Sequence, residues 1–285
     1  MFGVRSDGRA IRSLNGFFKT IPYIMPTRVD ATNLIALESD TRAVTQFLHD
    51  KAKEGENISY MSVVIAAYLR TLATHPEANR FVVNSRIYRR NHIAVCFVVL
   101  KKEDDGTENE TVVKLFLDPR DTVFDVSRKV NEAIEKNRAT GSNNSMDKLV
   151  DTLFSLPALA GFLIRFLKSL DRFGLLPRSV IDASPFHASM FVTNMASIKM
   201  PSIFHHIYNF GTTSIFISMG TKEKKEVIRH DGSRIVKQMM PLNVSTDERI
   251  CSGSAYARVL FSFQKYLQDP TLLEVPPEEV LEDLK

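Results

Sequence analysis

Cysteine is scarce in this sequence, and its scarcity limits the kind of protein that the chain forms. Only Cys96 and Cys251 are present, far apart and without the spacing of a metal-binding motif. This pattern argues against a fold stapled by disulfides and against a metal site. It is expected of a reduced, cytoplasmic protein.

Long uncharged apolar runs are also missing. Residues 149–177 are the most apolar part of the chain, but charged side chains interrupt them: Asp151, Arg165, Lys168, Asp171 and Arg172. No run therefore reaches the roughly 18 residues that a transmembrane helix needs. The N-terminal stretch mixes basic and apolar residues and lacks the continuous apolar core of a signal peptide, so neither export nor a membrane span is predicted.

Charge of one sign is not in large excess. The chain has 37 basic and 33 acidic residues and a formal net charge of +4, so its surface is mixed rather than polybasic. This balance weakly favours an anionic ligand and predicts no nucleic-acid partner. Apolar residues, in contrast, make up 44% of the 285 residues, which is enough for one large domain or two tightly fused lobes.

Helical and strand patterns are interspersed along the chain. Apolar residues recur at helical spacing in stretches that predict helices over residues 29–55, 58–75, 122–139 and 254–268. The first helix is expected to begin at Asp30 or Thr32 and to end at Gly55. β-rich runs predict strands over residues 91–102, 111–119, 187–198, 213–220 and 226–246, the last of these folded into a hairpin at Asp231 and Gly232. This order indicates an α/β (α+β) fold with a mixed sheet covered by helices.

Five segments, taken in order, resemble those of a known family. They read IPYIMPTRVDATNLI, ISYMSVVIAAYLRTLATHPEANRFV, NHIAVCFVV, MFVTNMASI and MMPLNVSTDERICSGSAYARVLFSFQKYLQDPTLLE. Their order resembles the catalytic domain of the dihydrolipoamide acyltransferases of 2-oxo acid dehydrogenase complexes. That family shares its fold with chloramphenicol acetyltransferase, so the resemblance implies a chloramphenicol-acetyltransferase-like mixed-sheet sandwich. It covers nearly the whole chain except residues 140–185.

The resemblance implies a catalytic motif, written DHRxxDG in the family. Its histidine is the general base that takes a proton from a thiol, and the resulting thiolate attacks an acyl thioester. The corresponding stretch here is DERICSG, in which Glu248 stands at the histidine position and Ser252 at the aspartate position. The positions that match are Asp247, Arg249 and Gly253. The motif is therefore interpreted as degenerate.

A second element of the family's site is a hydroxyl on the strand written FTISNLG, which stabilises the oxyanion. Thr193 occupies that position, although strand threonines are common and most have no chemical role. For the base, a glutamate has an ordinary pKa of about 4.3 against about 6.5 for a histidine, and burial can raise the pKa of a carboxyl group. Glu248 is thus either a working base or one half of a salt bridge with a nearby arginine in a protein that has lost the reaction.

Three other residues near these positions have two interpretations each. His205 and His206, in HHIYNFG, lie outside the motif but could supply a substitute base from a neighbouring segment. The alternative is a structural role in packing or hydrogen bonding. Cys251 lies three residues after Glu248 and is interpreted as a buried structural cysteine rather than a nucleophile.

Residues 146–177 form an apolar insertion with respect to the family. Pro157 is expected to split it into two helices, which makes an inserted helical pair. The pair is predicted to cover an exposed face of the domain or to act as a lid over the acyl pocket. Contact with a membrane surface is the weaker alternative.

The resemblance and the residues lead to one functional hypothesis with one rival. The hypothesis is a single acyltransferase-like domain over residues 1–285, assembled as a homotrimer with sites between neighbouring subunits, as the resemblance implies. It would transfer an acyl group from coenzyme A or a similar thioester to an unknown acceptor, without a covalently bound cofactor. The rival is a catalytically inactive trimeric binding or scaffold protein that keeps the acyltransferase fold.

Overall fold

A computed structural model describes residues 5–102, 108–139 and 157–285 of the chain. Its main sheet has seven strands, six of them in the order β2-β10-β8-β7-β5-β6, with β9 paired to the first half of β10. The strands are β2 (Thr32–Asp40), β5 (Ile93–Lys102), β6 (Glu108–Leu117), β7 (Met190–Asn194), β8 (Ile215–Met219), β9 (Glu223–Ile228) and β10 (Arg234–Asp247). The sheet is mixed, because β7 runs parallel to β5 and β8 while the other neighbours pair antiparallel.

A small sheet, seven α-helices and three short 3-10 helices complete the described part. The small sheet is antiparallel with the order β1-β4-β3, formed by β1 (Gly8–Ala10), β3 (Arg80–Val83) and β4 (Arg86–Arg90). The helices are α1 (Gly16–Ile24), α2 (Arg42–Lys53), α3 (Tyr60–Thr74), α4 (Val123–Ala139), α5 (Pro157–Phe173), α6 (Arg178–Ala183) and α7 (Gly253–Gln268). The expected mixed sheet with helices is therefore confirmed.

The main core lies between one face of the large sheet and the helices α3, α4 and α7. Residues 61–73 of α3 are all buried, so this helix is apolar around most of its circumference. Val63 and Leu69 belong to the same buried cluster as Val95 of β5 and Ile217 of β8. We call this side of the sheet the helix face and the opposite side the second face.

The second face is covered in part by the chain after β7. Phe191 and Phe216 stack there at 4.9 Å between ring centroids. The Ser202 hydroxyl donates to the carbonyl of Ser218 at 2.8 Å and accepts from the backbone N–H of Asn243 at 3.0 Å. Residues around 202 are thereby attached to β8 and β10 on the face away from the helices.

The predicted helix over residues 29–55 is wrong in its first half. Residues 32–40 form strand β2, and the helix α2 begins only at Arg42. The reason is tertiary: β2 pairs with β10 over nine residues, from Thr32 opposite Asp247 to Asp40 opposite Met239. The predicted end is correct, since Gly55 follows α2 with φ +91°.

The other predicted elements are present with small shifts of their ends. Helices α3, α4 and α7 and strands β5 to β8 lie within or near the predicted ranges. The hairpin at Asp231 and Gly232 joins β9 to β10, with Gly232 at φ +80°. Helix α1 and the small sheet were not predicted. The turn between β3 and β4 uses Asn84 and Ser85 at φ 49° and 55°, values that a two-residue type I′ hairpin requires.

The insertion is described from Pro157 onward. Helix α5 begins at this proline, as expected for a residue that is favoured in the first turn of a helix. The first helix of the predicted pair falls on residues outside the described ranges. Within those ranges, no helix combines the length and apolarity needed to span a membrane.

The C-terminal residues turn back along the chain's own surface. Arg70 of α3 donates to the carbonyl of Leu272 at 2.8 Å, and the N–H of Leu281 donates to the carbonyl of Ala73 at 2.8 Å. Arg80 of β3 forms an ion pair with Asp283, with Nε to Oδ2 at 2.7 Å. We refer to residues 276–285 as the C-terminal tail.

Candidate functional site

The end of β10 is held by a buried ion pair. Asp247 is fully buried and accepts two hydrogen bonds from the Arg249 guanidinium, at 2.8 and 2.7 Å, and one from the Arg249 backbone N–H at 3.1 Å. Arg249 also donates to the carbonyls of Met25 and Pro26, at 3.1 and 3.2 Å. These bonds attach the loop that precedes β2 to the turn that follows β10, so two of the matching motif residues have a structural role.

Glu248 lies between these two buried residues and is itself exposed. Its backbone N–H donates to the carbonyl of Ala31 at 2.8 Å. Its carboxylate has no hydrogen bond or ion pair with the part of the chain that the structure describes. The arginine next to it, Arg249, is paired with Asp247 instead. The salt-bridge interpretation of Glu248 therefore finds no support within one chain.

Ser252 begins helix α7. Its side chain caps the helix by accepting a hydrogen bond from the N–H of Ala255 at 3.3 Å. The Tyr256 hydroxyl donates to the carbonyl of Asp247 at 2.7 Å, which joins the first turn of α7 to the end of β10. Cys251 is 2% exposed, and burial raises the pKa of its thiol to about 12. A thiol that stays protonated is a poor nucleophile, which supports the structural interpretation of Cys251.

Thr193 is near the end of β7 and far from Glu248 within one chain. It is in register with Ser218 of β8, which is in register with Asn243 of β10. Glu248 lies five residues beyond Asn243, which corresponds to about 16 Å along the strand direction at 3.3 Å per residue. The Thr193 hydroxyl is half-buried and lies 3.6 Å from the sulfur of Met195. One chain does not bring the hydroxyl and the carboxylate together.

His205 and His206 lie on the second face. The ring of His205 stacks on Phe216 at 4.0 Å and on the exposed His206 at 4.6 Å. Burial lowers the pKa of His205, and its Nδ1 lies 2.7 Å from the carbonyl of His206. Phe216 is in register with Ser245, so His205 lies between the levels of Thr193 and Glu248. No hydrogen bond within the described ranges connects it to either of them.

A buried charged network beside the motif was missed from the sequence. Arg5 pairs with Asp7 at 2.8 Å and with Asp171 of α5 at 2.6 Å. His187 Nε2 lies 3.3 Å from Asp171. Burial alone would raise the pKa of Asp171, but His187 and Arg5 hold it at about 2, while burial lowers the pKa of His187. The available signal was an aspartate within an apolar insertion.

Metal ligation was not predicted from the sequence. Among the described residues, no group of three histidine, cysteine, aspartate or glutamate side chains is placed to hold a metal ion. The charged network consists instead of arginine–carboxylate pairs and one histidine.

Comparison with known families gives one match. Residues 186–275 match the 2-oxoacid dehydrogenases acyltransferase (catalytic domain) family. The matched region contains β7, β8, β10, the DERICSG stretch and α7. No curated protein matches the chain.

Solved structures of acyltransferases share the fold. A probable dihydrolipoamide acetyltransferase from Listeria monocytogenes superposes with a TM-score of 0.57 at 16% identity, covering 90% of this chain and 93% of that chain. The dihydrolipoamide acetyltransferase of Azotobacter vinelandii, studied for a serine, a histidine and an asparagine in its catalytic mechanism, gives 0.58 at 15% identity, with coverages of 85% and 83%. A chloramphenicol acetyltransferase gives 0.53 at 11% identity, with coverages of 91% and 99%.

At these identities the solved structures establish the fold alone. The family match is independent support from the sequence, limited to residues 186–275. Both agree with the order of segments that carried the resemblance. The chain therefore has the chloramphenicol-acetyltransferase-like fold, and its residues 186–275 match the 2-oxoacid dehydrogenases acyltransferase (catalytic domain) family.

Proposed function

We propose that the protein is an acyltransferase whose site is formed between neighbouring copies of the chain, as a homotrimer. It takes an acyl group from coenzyme A or a similar thioester and passes it to an acceptor that carries a thiol, amine or hydroxyl. The observation that carries the proposal is the separation of Thr193 and Glu248, about 16 Å along β10 in one chain. In this proposal, Thr193 of one copy and Glu248 of the next approach the same thioester carbonyl.

Exposed apolar side chains support an interface on this side of the molecule. Leu34 of β2 is opposite Ser245 and shares the second face with it. Leu34 is 57% exposed and Phe204 is 44% exposed, and the other large apolar residues exposed nearby in sequence are Ile198, Met200 and Ile203. Clusters of this kind mark surfaces that a partner covers. The partner proposed is a second copy of the chain.

The proposed chemistry is a direct transfer between two substrates. Glu248 removes the proton from the acceptor, and the acceptor atom attacks the thioester carbonyl. The Thr193 hydroxyl donates a hydrogen bond to the oxyanion that forms. When the carbon–sulfur bond breaks, the thiolate leaves and takes the proton back from Glu248. Because the carboxylate is exposed in one chain, the neighbouring copy must shield it from water to make it an effective base.

His205 is the alternative base, which would take the proton from the acceptor in place of Glu248. Its lowered pKa keeps the ring neutral at physiological pH. Because Nδ1 faces the carbonyl of His206, that nitrogen carries the proton and Nε2 remains free to accept one. His206 is exposed on the same segment and supplies the carbonyl that sets this tautomer.

The test measures consumption of acetyl coenzyme A by mass spectrometry, with thiol, amine and hydroxyl acceptors, in four variants. Glu248→Gln is expected to lower turnover by about 100-fold or more, since general bases contribute roughly 10² to 10⁴. Thr193→Val is expected to lower it by about 100-fold. Glu279→Gln, an exposed glutamate in the C-terminal tail, is the matched control and leaves turnover unchanged. His205→Gln distinguishes the two bases.

The results separate the acyltransferase from its rival. If turnover persists in Glu248→Gln but is lost in His205→Gln, the general base is His205 rather than Glu248. Turnover that both variants leave intact contradicts the proposed site. Binding of acetyl coenzyme A without turnover on any acceptor favours the inactive binding or scaffold protein, which the solvent exposure of Glu248 also favours. The free and buried state of Cys96 and Cys251 supports the expected reducing, cytoplasmic setting.

A further inference from the structure

A polar pocket lies beside the motif, on the side of the inserted helix. Its volume is about 430 Å³. Five segments form its walls: the loop before β2, the β3–β4 hairpin, helix α5, the stretch around residue 210 and the turn after β10. The charged side chains that line it are Arg28, Lys168, Asp171, Arg172 and Arg249.

Cationic side chains outnumber carboxylates in the pocket walls. The carboxylate that lines the pocket, Asp171, is already paired with other groups. Asp171 accepts a hydrogen bond from Arg5 at 2.6 Å and contacts His187 at 3.3 Å. Arg249 is neutralised by Asp247 behind the wall. The positive charges of Arg28, Lys168 and Arg172 therefore have no full counter-charge among the described residues that line the pocket.

Arg28 has a buried donor without an acceptor. It is 6% exposed, and its Nη2 donates to the carbonyl of Val82 at 3.0 Å. Its Nε has no hydrogen-bond partner among the described residues. The nearest carboxylate oxygen, on Asp247, is 3.9 Å away, and both oxygens of Asp247 already accept bonds from Arg249. Burial lowers the pKa of Arg28 to about 10, with Asp247 opposing the shift. Arg28 as a residue lines the pocket, so an anion bound there would offset part of the cost of burying its positive charge.

The two exposed cations are held over the pocket and keep free donors. The Lys168 ammonium lies 5.9 Å from the ring centre of Phe210, and Arg172 Nε donates to the Asn84 side chain at 3.0 Å. Neither contact supplies a negative charge, so both side chains remain available to an anion. Three cationic donors, one from the loop before β2 and two from α5, suit a group with several oxygens, and guanidinium groups favour phosphate among such groups.

We propose that this pocket binds a phosphate monoester, with its phosphate held between Arg28, Lys168 and Arg172. The volume leaves room for the organic part of the ester beside the phosphate. Two of the three donors come from α5, within the segment that the family resemblance does not cover, so the site is a property of this chain. The proposal does not depend on acyl transfer, because phosphate binding is measured without turnover.

The experiment titrates inorganic phosphate into the full chain by isothermal titration calorimetry at low ionic strength. The double variant Lys168→Gln/Arg172→Gln removes two exposed cations and is expected to weaken binding by about tenfold. The double variant Arg258→Gln/Lys265→Gln, which removes the same charge from exposed positions on α7, binds within about twofold of the unchanged protein. Arg28→Lys keeps the charge but loses the fork of donors and also weakens binding.

Two further probes identify the source of the phosphate. Adenosine 3′,5′-bisphosphate represents a soluble ester, and vesicles with phosphatidic acid in phosphatidylcholine represent a lipid headgroup. Binding of either probe that the Lys168→Gln/Arg172→Gln variant weakens supports the site and shows which source it accepts. The proposal is overturned if the unchanged protein does not bind phosphate, or if the Lys168→Gln/Arg172→Gln and Arg258→Gln/Lys265→Gln variants bind it equally well.

Discussion

Asp247 and Glu248 are adjacent carboxylates with opposite surroundings. Asp247 is fully buried and bonded twice to the Arg249 guanidinium, whereas Glu248 is exposed and unpaired within the described chain. The fold therefore uses the first carboxylate to hold the turn and presents the second at the surface. This contrast gives Asp247 a structural role, whereas the role proposed for Glu248 as a base requires a neighbouring copy to shield it from water.

His92 shows how burial of a single side chain sets a dependence on pH. Neither ring nitrogen has a hydrogen-bond partner in the described ranges, and the ring lies 5.3 Å from that of Phe116. Burial, assisted by the positive charges of Arg90 and Arg178, lowers the pKa of His92 to about 3. The folded chain thus holds this ring neutral where the unfolded chain, with an ordinary pKa of about 6.5, binds a proton.

The sign of the effect follows from this difference. Above pH 6.5 the His92 ring is neutral in both the folded and the unfolded chain, so it does not affect stability. As the pH falls from 6.5 towards 3, only the unfolded chain binds the proton, and the free energy of unfolding decreases. We predict that His92→Gln reduces the loss of unfolding free energy between pH 7 and pH 5 by about 2 kcal/mol. Urea unfolding at fixed protein concentration measures this. His230→Gln, at an exposed histidine in the β9–β10 turn, is the control and keeps the pH dependence of the unchanged protein. Equal pH dependence in both variants contradicts the assignment.

At the scale of elements, the C-terminal tail behaves as part of the folded core rather than as a free end. Its Asp283 pairs with Arg80 of β3, and both side chains are under 10% exposed. Leu281 adds a backbone hydrogen bond to the end of α3. The tail thereby links the small sheet to the main helix layer.

We predict that Asp283→Asn lowers the free energy of unfolding by about 3 kcal/mol, because it leaves Arg80 buried without a counter-charge. Urea denaturation monitored by circular dichroism measures the change. The neighbouring residue Glu282 has a side chain that is 78% exposed, so Glu282→Gln is the matched control and changes stability by less than about 0.5 kcal/mol. Similar losses in the two variants would show that the tail is held by its backbone alone.

At the scale of the whole molecule, exposed apolar side chains lie on several surfaces of the described chain, including helices α1 and α5. On the second face, Leu34 and Phe204 are exposed next to the segment that carries His205. On the helix side, Phe261 of α7 is 71% exposed but stands between polar and buried neighbours along its helix. The proposed trimer would cover the first surface and leave the second in water.

We predict that Phe204→Glu breaks the trimer, since a carboxylate in an apolar contact loses its hydration. Light scattering coupled to size-exclusion chromatography is expected to give the mass of three 32.3 kDa chains for the unchanged protein and of one chain for the variant. Phe261→Glu, with the same change at a more exposed phenylalanine, stays trimeric. A monomeric unchanged protein contradicts both the trimer and the shared site.

Much of the fold was predictable, and strand β2 shows why one part of it was not. Helix α3 and the β9–β10 hairpin follow from apolar spacing and from the Asp231–Gly232 turn, both of which are local. Strand β2 was mistaken for the first half of a helix because its identity depends on β10, some 200 residues away. The candidate site divides in the same way: the motif positions were visible in the sequence, whereas the network around Asp171 was not.

By itself, the sequence determined the segment order that implies the acyltransferase fold, and which side chains, Glu248 and Thr193, stand at the motif positions. The spacing of apolar residues indicates which side chains an element buries, and the residues of a motif are contiguous in the chain. Both features can therefore be recognised from the sequence without coordinates. Only the tertiary structure decided that Glu248 is exposed, that Thr193 lies too far away to meet it in one chain, and that Arg28 and α5 enclose a cationic pocket. Each of these depends on distances between segments that are remote in sequence, which no local pattern encodes.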